Sequence, residues 1–251
     1  MSYSSAPPRT HQIDVVDQVV RAYRIVLDHA QLVGEMAFLP FLIVLAAEFV
    51  GFLIPGVGVF GRLLAALISA VGIGVFGIIF AVRWHRYVLL GESVSSGLIP
   101  PGWMPFFVAG LKLAGLVLLG WILLLIVTLL PLSFLVVPLV TLGAAALTLL
   151  AIRVSLIFPA AAIERPIGLW TASEWITGNF WRLFACALAC YLPFVVVEFV
   201  INWIAAIFPS LTWIVFEALR LAVSFVGAAV VAALLSHLYR EIAPFSGTET
   251  A

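Results

Sequence analysis

Six runs of about twenty apolar residues, each bounded by proline, glycine or charge, leave this chain few folds to choose from. They cover roughly residues 36–54, 63–82, 104–130, 134–157, 184–207 and 212–237. At about 1.5 Å per residue, a twenty-residue helix matches the roughly 30 Å hydrocarbon layer of a bilayer. Barrel strands need only roughly 9–11 residues, so the repeated length selects helices, whose backbone groups pair within each segment. The expected fold is all-α and integral to a membrane: six transmembrane helices in three hairpins, with short amphipathic interfacial helices. Composition agrees. Apolar residues make up 65% of the 251 and charged residues 10%, against roughly 45–50% and about 25% in soluble domains. A formal net charge of zero gives no pull toward nucleic acid or an acidic substrate.

Residues 1–10, with Pro7 and Pro8, read as a disordered tail, 11–243 as the membrane domain and 244–251 as a second polar tail. The first stretch lacks the apolar core and cleavage site of a signal peptide, so the first span is expected to direct insertion. From Ile13, the residues Val16, Val20, Tyr23, Leu27 and Ala30 recur at three- and four-residue steps, with Asp14, Asp17, Arg21, Arg24 and Asp28 largely between them. This pattern predicts an amphipathic helix that lies on the membrane surface or packs on neighbouring loops. Ten of the twelve basic residues fall on the side of the N-terminus and the exits of the even-numbered spans. Only Arg62 and Arg220 lie toward the other side. The positive-inside bias then puts both termini in the cytoplasm, with short, nearly uncharged outer turns around Pro55, Pro131 and Pro209.

The longest polar-bearing passage between spans runs from Arg153 to Leu183. Thr171 and Glu174 fit a capping box that would start a short helix near Ala172. Gly178 can take the left-handed conformation that ends it, and Asn179 stands where it would cap the next helix. Trp170, Trp175 and Trp181 surround this helix, and indoles favour the headgroup level. The segment therefore reads as an in-plane element.

Charges inside membrane spans are rare, and five stand out: Glu48, Arg62, Glu198, Glu217 and Arg220. Sliding the chain by 150 residues aligns Glu48 with Glu198, and Arg62-Leu63 resembles Arg220-Leu221, so the first and third hairpins look like parallel copies. Each group is expected either to pair, Glu48 with Arg62 and Glu198 with Arg220, or to line a polar cavity for a solute or headgroup. A second constellation gathers at the cytoplasmic ends: Arg83, Trp84, His85, Arg86 and Glu92, then Arg153, Glu164 and Arg165, then His237, Arg240 and Glu241. It either anchors the helix ends by snorkelling or forms a ring for anionic headgroups.

Several local patterns lead nowhere chemically. His85 and His237 lack companions at metal-ligand spacing. Gly72, Gly74 and Gly77 match a nucleotide fingerprint by letter, but mid-span and with no preceding strand. Cys186 and Cys190 read as packing residues within an apolar run. No cofactor, metal or catalytic group is therefore expected. Small residues at four-residue steps, Ala66, Ala70 and Gly74 on the second span and Ser224, Ala228 and Ala232 on the sixth, predict close approach. With Gly143 to Ala146 on the fourth, they predict that the even-numbered spans pack inside and the odd-numbered ones face lipid.

The run RWHRYVLLGE at 83–92, and Pro159, Glu164, Pro166, Ser173 and Thr177 leading into GNFWRLF at 178–184, resemble six-helix bacterial inner-membrane proteins. These are similar to the membrane domain attached to some glycerophosphodiester phosphodiesterases. The resemblance implies a helical module of the bacterial cytoplasmic membrane. The chain has no room for the catalytic barrel of those enzymes, so their reaction is not expected here. The expected role is a non-catalytic module that binds membrane lipids, or a membrane or cytoplasmic protein partner, at its cytoplasmic face. A small transporter or permease using the intramembrane Glu and Arg groups is the alternative.

Overall fold

The structure, a computed structural model, describes residues 12–53, 58–92, 99–128, 133–207 and 213–243. Both expected tails and the turns around Pro55, Pro131 and Pro209 lie outside the described residues. Among the described residues there are nine helices and no strand: α1 (Val15–Asp28), α2 (Ala30–Leu53), α3 (Gly58–Leu90), α4 (Trp103–Thr128), α5 (Ser133–Val154), α6 (Ile157–Ala162), α7 (Leu169–Trp175), α8 (Phe180–Ile207) and α9 (Trp213–Ile242). Six of them, α2, α3, α4, α5, α8 and α9, are long and apolar enough to cross a membrane. Consecutive long helices pack on one another, α2 on α3, α4 on α5 and α8 on α9.

Several helices outrun their apolar segments. At 33 residues α3 measures about 50 Å, well beyond the roughly 30 Å thickness of a bilayer's hydrocarbon layer. The helix continues from Arg83 to Leu90, past the expected span end at 82. Its end is defined by Gly91, at φ +70, which turns the chain back on itself. At this end lie the starts of α2, α4 and α8, the ends of α3, α5 and α9, and all of α1, α6 and α7; we call it the basic end.

The buried core is concentrated there. Phe80, Val82, Trp84 and Val88 of α3 pack with Ala229, Ala233, Leu234 and Leu238 of α9, and α6 is wedged beside them with five of its six residues buried. α1 lies against α8 and α9, starting at Asp14, whose carboxylate accepts the Asp17 amide at 3.1 Å. Its buried residues are Gln18, Ala22 and Val26. Of the expected stripe, Ile13 is buried, whereas Val16, Val20 and Leu27 are exposed. The helix has three arcs, one on the bundle, one apolar and exposed, and one carrying Asp17, Arg21, Arg24 and Asp28.

The expected division between inner and outer spans also needs correction. No residue of α5 from Val136 is buried before Val154, and no described side chain of α4 is buried after Ala109, whereas α2 contributes Val33, Met36, Ala37, Val44 and Ala47. On α3, Ala66, Ala70 and Gly74 are exposed; on α9, Ser224 and Ala228 are exposed and only Ala232 is buried. Close approach occurs elsewhere. A Cβ on Gly120 of α4 would meet Leu147 of α5 at 2.3 Å, and one on Gly143 of α5 would meet Leu124 of α4 at 2.2 Å. Each helix thus seats a leucine in the other's glycine notch.

Candidate functional site

At the basic end, α6 stops in a Schellman turn: Arg165 N–H donates to Ala160 O at 2.9 Å and Glu164 N–H to Ala161 O at 3.0 Å, with Glu164 at φ +60. These bonds take the carbonyls of Ala160 and Ala161. The carbonyl of Ala162 needs another donor, and Arg86 Nη1 supplies it at 3.0 Å. The same guanidinium forks onto Glu92, through Nε and Nη2 at 2.7 Å each, and Glu164 lies 3.8 Å from Nη1. Arg86 is 8% exposed, which makes it an internal strut and not a ligand-facing cation. Gly102, at φ +80, presses the entry of α4 onto the same carbonyl.

Its neighbours are equally committed. Trp84 is fully buried and donates its indole N–H to Ala229 O at 2.8 Å. His85 Nδ1 lies 2.7 Å from the Ser236 hydroxyl, which itself donates to Ala232 O at 2.8 Å, so α3 and α9 share a buried polar line. Arg240 Nη2 donates to Val88 O, and to Leu89 O at 3.2 Å, covering carbonyls that the end of α3 leaves open. The expected headgroup ring is therefore corrected for Arg86 and Arg240, which bind backbone carbonyls. Arg153 and Arg165 remain exposed; Arg83 is partly buried.

A clamp that sequence reasoning missed fixes α1. Asn179, at the start of α8, reaches across to the segment before α1: its Oδ1 accepts the Ile13 amide at 3.2 Å. Arg182 donates to Ile13 O and to Gln12 Oε1, both at 2.8 Å. Farther along, Gln18 Nε2 donates to Glu241, and Tyr23 donates to Cys190 O at 3.0 Å. Burial raises the pKa of the Tyr23 phenol, and the Cys190 thiol adds to the effect, so the group stays a donor at physiological pH. Arg182→Met will loosen this clamp. A cysteine at Ala22, fully buried in the wild-type background, should be inert to thiol reagents there and reactive once Arg182 is replaced. Equal inertness in both proteins would show that apolar packing alone holds α1.

The short helix expected between Arg153 and Leu183 is present, but its start differs from the expectation. α7 begins at Leu169 after Gly168, whose carbonyl accepts the Ala172 amide at 3.0 Å, and no side chain caps it. Thr171 therefore lies inside the helix. Glu174 accepts the Trp170 indole N–H at 2.6 Å, so the capping box is replaced by a bond between side chains four residues apart. Gly178 does take the left-handed conformation, at φ +89, but the helix already ends at Trp175 with Ile176 as its C-cap, two residues before it. Trp170 and Trp181 are 77% and 69% exposed, while Trp175 is half-buried beside Tyr239.

Away from the basic end, a second cluster joins α2, α8 and α9. The expected Glu198–Arg220 pair is not made. Arg220 bonds Glu217, three residues away on its own helix, through Nε at 3.1 Å and Nη2 at 2.5 Å. Glu198 instead accepts the Ser224 hydroxyl at 2.8 Å. The local pair wins because a helix places residues three apart side by side, with no interhelical alignment required. Glu48 and Glu198 remain within electrostatic reach of Arg220. Arg62 lies in α3, with its side chain outside the described residues, which leaves its expected pairing with Glu48 undescribed. In a double-mutant cycle, Arg220→Met should couple more strongly to Glu217→Gln than to Glu198→Gln; the opposite order would reinstate the interhelical pair.

Chemically, this arrangement offers charges that are mostly engaged with the chain itself. Among the described residues no three His, Cys, Asp or Glu side chains converge as a metal site requires. No protein-family model matches the chain, and neither a curated protein nor a solved structure is similar to it.

Proposed function

We propose that this chain is a non-catalytic multi-pass module of the bacterial inner membrane, its six spans in three hairpins and its basic end in the cytoplasm, that binds anionic lipid there. The observation that carries this reading is the three-arc arrangement of α1. One arc is docked on the bundle, Val16, Val20 and Leu27 form an exposed apolar strip, and a charged arc lies beside it. Such a helix satisfies bundle, lipid and water at once when it lies in the interfacial plane. The exposed indoles of Trp170 and Trp181 at the same end suit the headgroup level. Exposed Arg24, Arg153 and Arg165 supply charge for anionic headgroups, each worth about 1 kcal/mol near such a surface. Native mass spectrometry of the purified protein tests it: anionic phospholipid should be retained over zwitterionic lipid, and indifference between the two would reject it.

The orientation has its own test. Cys186 and Cys190 are buried and give little background. A cysteine at Gly168 should label in intact cells only with membrane-permeant reagents, and one at Val59 with impermeant ones. The reverse pattern would invert the topology.

A second reading, a small secondary transporter or permease, is favoured by the gathering of Glu48, Glu198 and Glu217 around Arg220 in helices otherwise suited to lipid. It requires ion-driven uptake into proteoliposomes that Glu198→Gln abolishes while the fold is kept.

A further inference from the structure

We propose that the groove between α4, α6 and the segment leading into α7 seats one anionic phospholipid, with its phosphate on the Lys112 ammonium and the start of an acyl chain along the apolar walls. This rests on the lipid-binding reading of the basic end and assigns it a site. The groove has a volume of about 320 Å³, at the lower end of small-ligand sites, which run from roughly 300 to 1,000 Å³. Met104, Val108 and Lys112, at four-residue steps, form one wall; Ile157 belongs to α6, and Ile167 and Leu169 complete the opposite side. Lys112 is the one charged residue of the lining.

Its position is what points to a ligand. Lys112 lies nine residues into α4, about 14 Å along the helix from its start at the basic end. On insertion scales a lysine at a helix centre costs roughly 2.5–3.5 kcal/mol. Of the other cations, Arg86 has Glu92, Arg220 has Glu217, and Arg21 has Asp17 at 2.7 Å, while Arg24, Arg153 and Arg165 are exposed outside the groove. Lys112 is exposed and meets no carboxylate among the described residues. Side chains on a helix lean toward its N-terminus, so the ammonium reaches back toward the basic end, where headgroup phosphates lie.

The walls decide what kind of anion. A free phosphate would meet the cation and leave the apolar surface against water. A detached hydrocarbon chain would cover that surface and leave the charge unanswered. An anionic phospholipid does both with one molecule, and its phosphate can accept a charge-assisted hydrogen bond from the ammonium.

The test uses the full chain, delipidated in detergent and titrated with phosphatidylglycerol or phosphatidylcholine of matched chains, with bound lipid counted by native mass spectrometry. The wild type should hold one phosphatidylglycerol under activation that strips phosphatidylcholine. Lys112→Gln and Val108→Trp, which removes the charge or fills the groove, should each weaken retention by about tenfold, the scale of one hydrogen bond to a charged group. Lys112→Arg should retain it. Both side chains are exposed, and unfolding midpoints equal to wild type verify that the variants are folded. A wild type without headgroup preference overturns the lipid-binding reading itself. Preference that survives both Lys112→Gln and Val108→Trp preserves that reading and overturns the groove assignment. Displacement by millimolar glycerol phosphate would overturn the role of the acyl chain, and a copurifying polypeptide lost on Val108→Trp would give the groove to a protein.

Discussion

Replacing Arg86 with methionine will lower the stability of the protein by about 2–4 kcal/mol, measured by thermal unfolding in detergent. The size follows from what is left behind. The Schellman turn of α6 occupies its other late carbonyls, so Ala162 O would be buried without a donor, at a cost of about 1–3 kcal/mol. The fork to Glu92 adds less, because that carboxylate is 42% exposed and regains water. Glu92→Gln should therefore cost under about 1 kcal/mol. Arg86→Lys should recover part of the loss, since an ammonium can reach one acceptor but cannot reproduce the planar fork. An Arg86→Met protein as stable as wild type would mean that α6 is held by apolar packing alone.

The second large effect is expected on the other side of the same carbonyl. In Gly102→Ala the new Cβ would lie 2.2 Å from Ala162 O and 2.9 Å from its carbon, both backbone atoms that cannot swing aside. The φ of +80 adds strain of about 1–2 kcal/mol, and overpacking adds about 1–3 kcal/mol, so about 3 kcal/mol in all is expected. Gly91→Ala is the control. It shares a positive φ, +70, but has nothing within 4 Å, and should cost only the strain. Equal losses at the two positions would show that backbone conformation and not contact with α6 accounts for both.

Much of the architecture was legible because hydrophobic length is a local property. The six spans are visible as runs, and Gly178 takes the left-handed conformation that its position between two helices implied. What was not legible depended on partners distant in sequence. Arg86 reaches Ala162 across 76 residues, and Arg240 reaches Val88 across 152. A reading of RWHR alone finds snorkelling charges, because a run of hydropathy ends where a helix held by remote partners does not. One clue was available: Arg86 and Glu92 flank Gly91, a spacing that lets a left-handed turn fold acid back onto base. The capping box failed for the converse reason. Its letters were right, but Gly168 already starts the helix and a neighbouring indole takes the glutamate. Lys112 passed unnoticed as a site because its walls come from three separate segments.

The clamp on α1 bears on how the molecule is made. Ile13 and Gln12 are held by Asn179 and Arg182, 166 to 170 residues away, and Gln18 by Glu241 across 223. During synthesis α1 therefore waits, its Gln18, Ala22 and Val26 face uncovered, until α8 and α9 have been produced. The α4 and α5 pair needs no such delay, since each glycine notch and its leucine lie within 27 residues of sequence (147 − 120 = 27; 143 − 124 = 19). The order of assembly thus departs from the order of translation: α1 precedes α2 to α7 in the chain but docks only after α8 and α9 have been made.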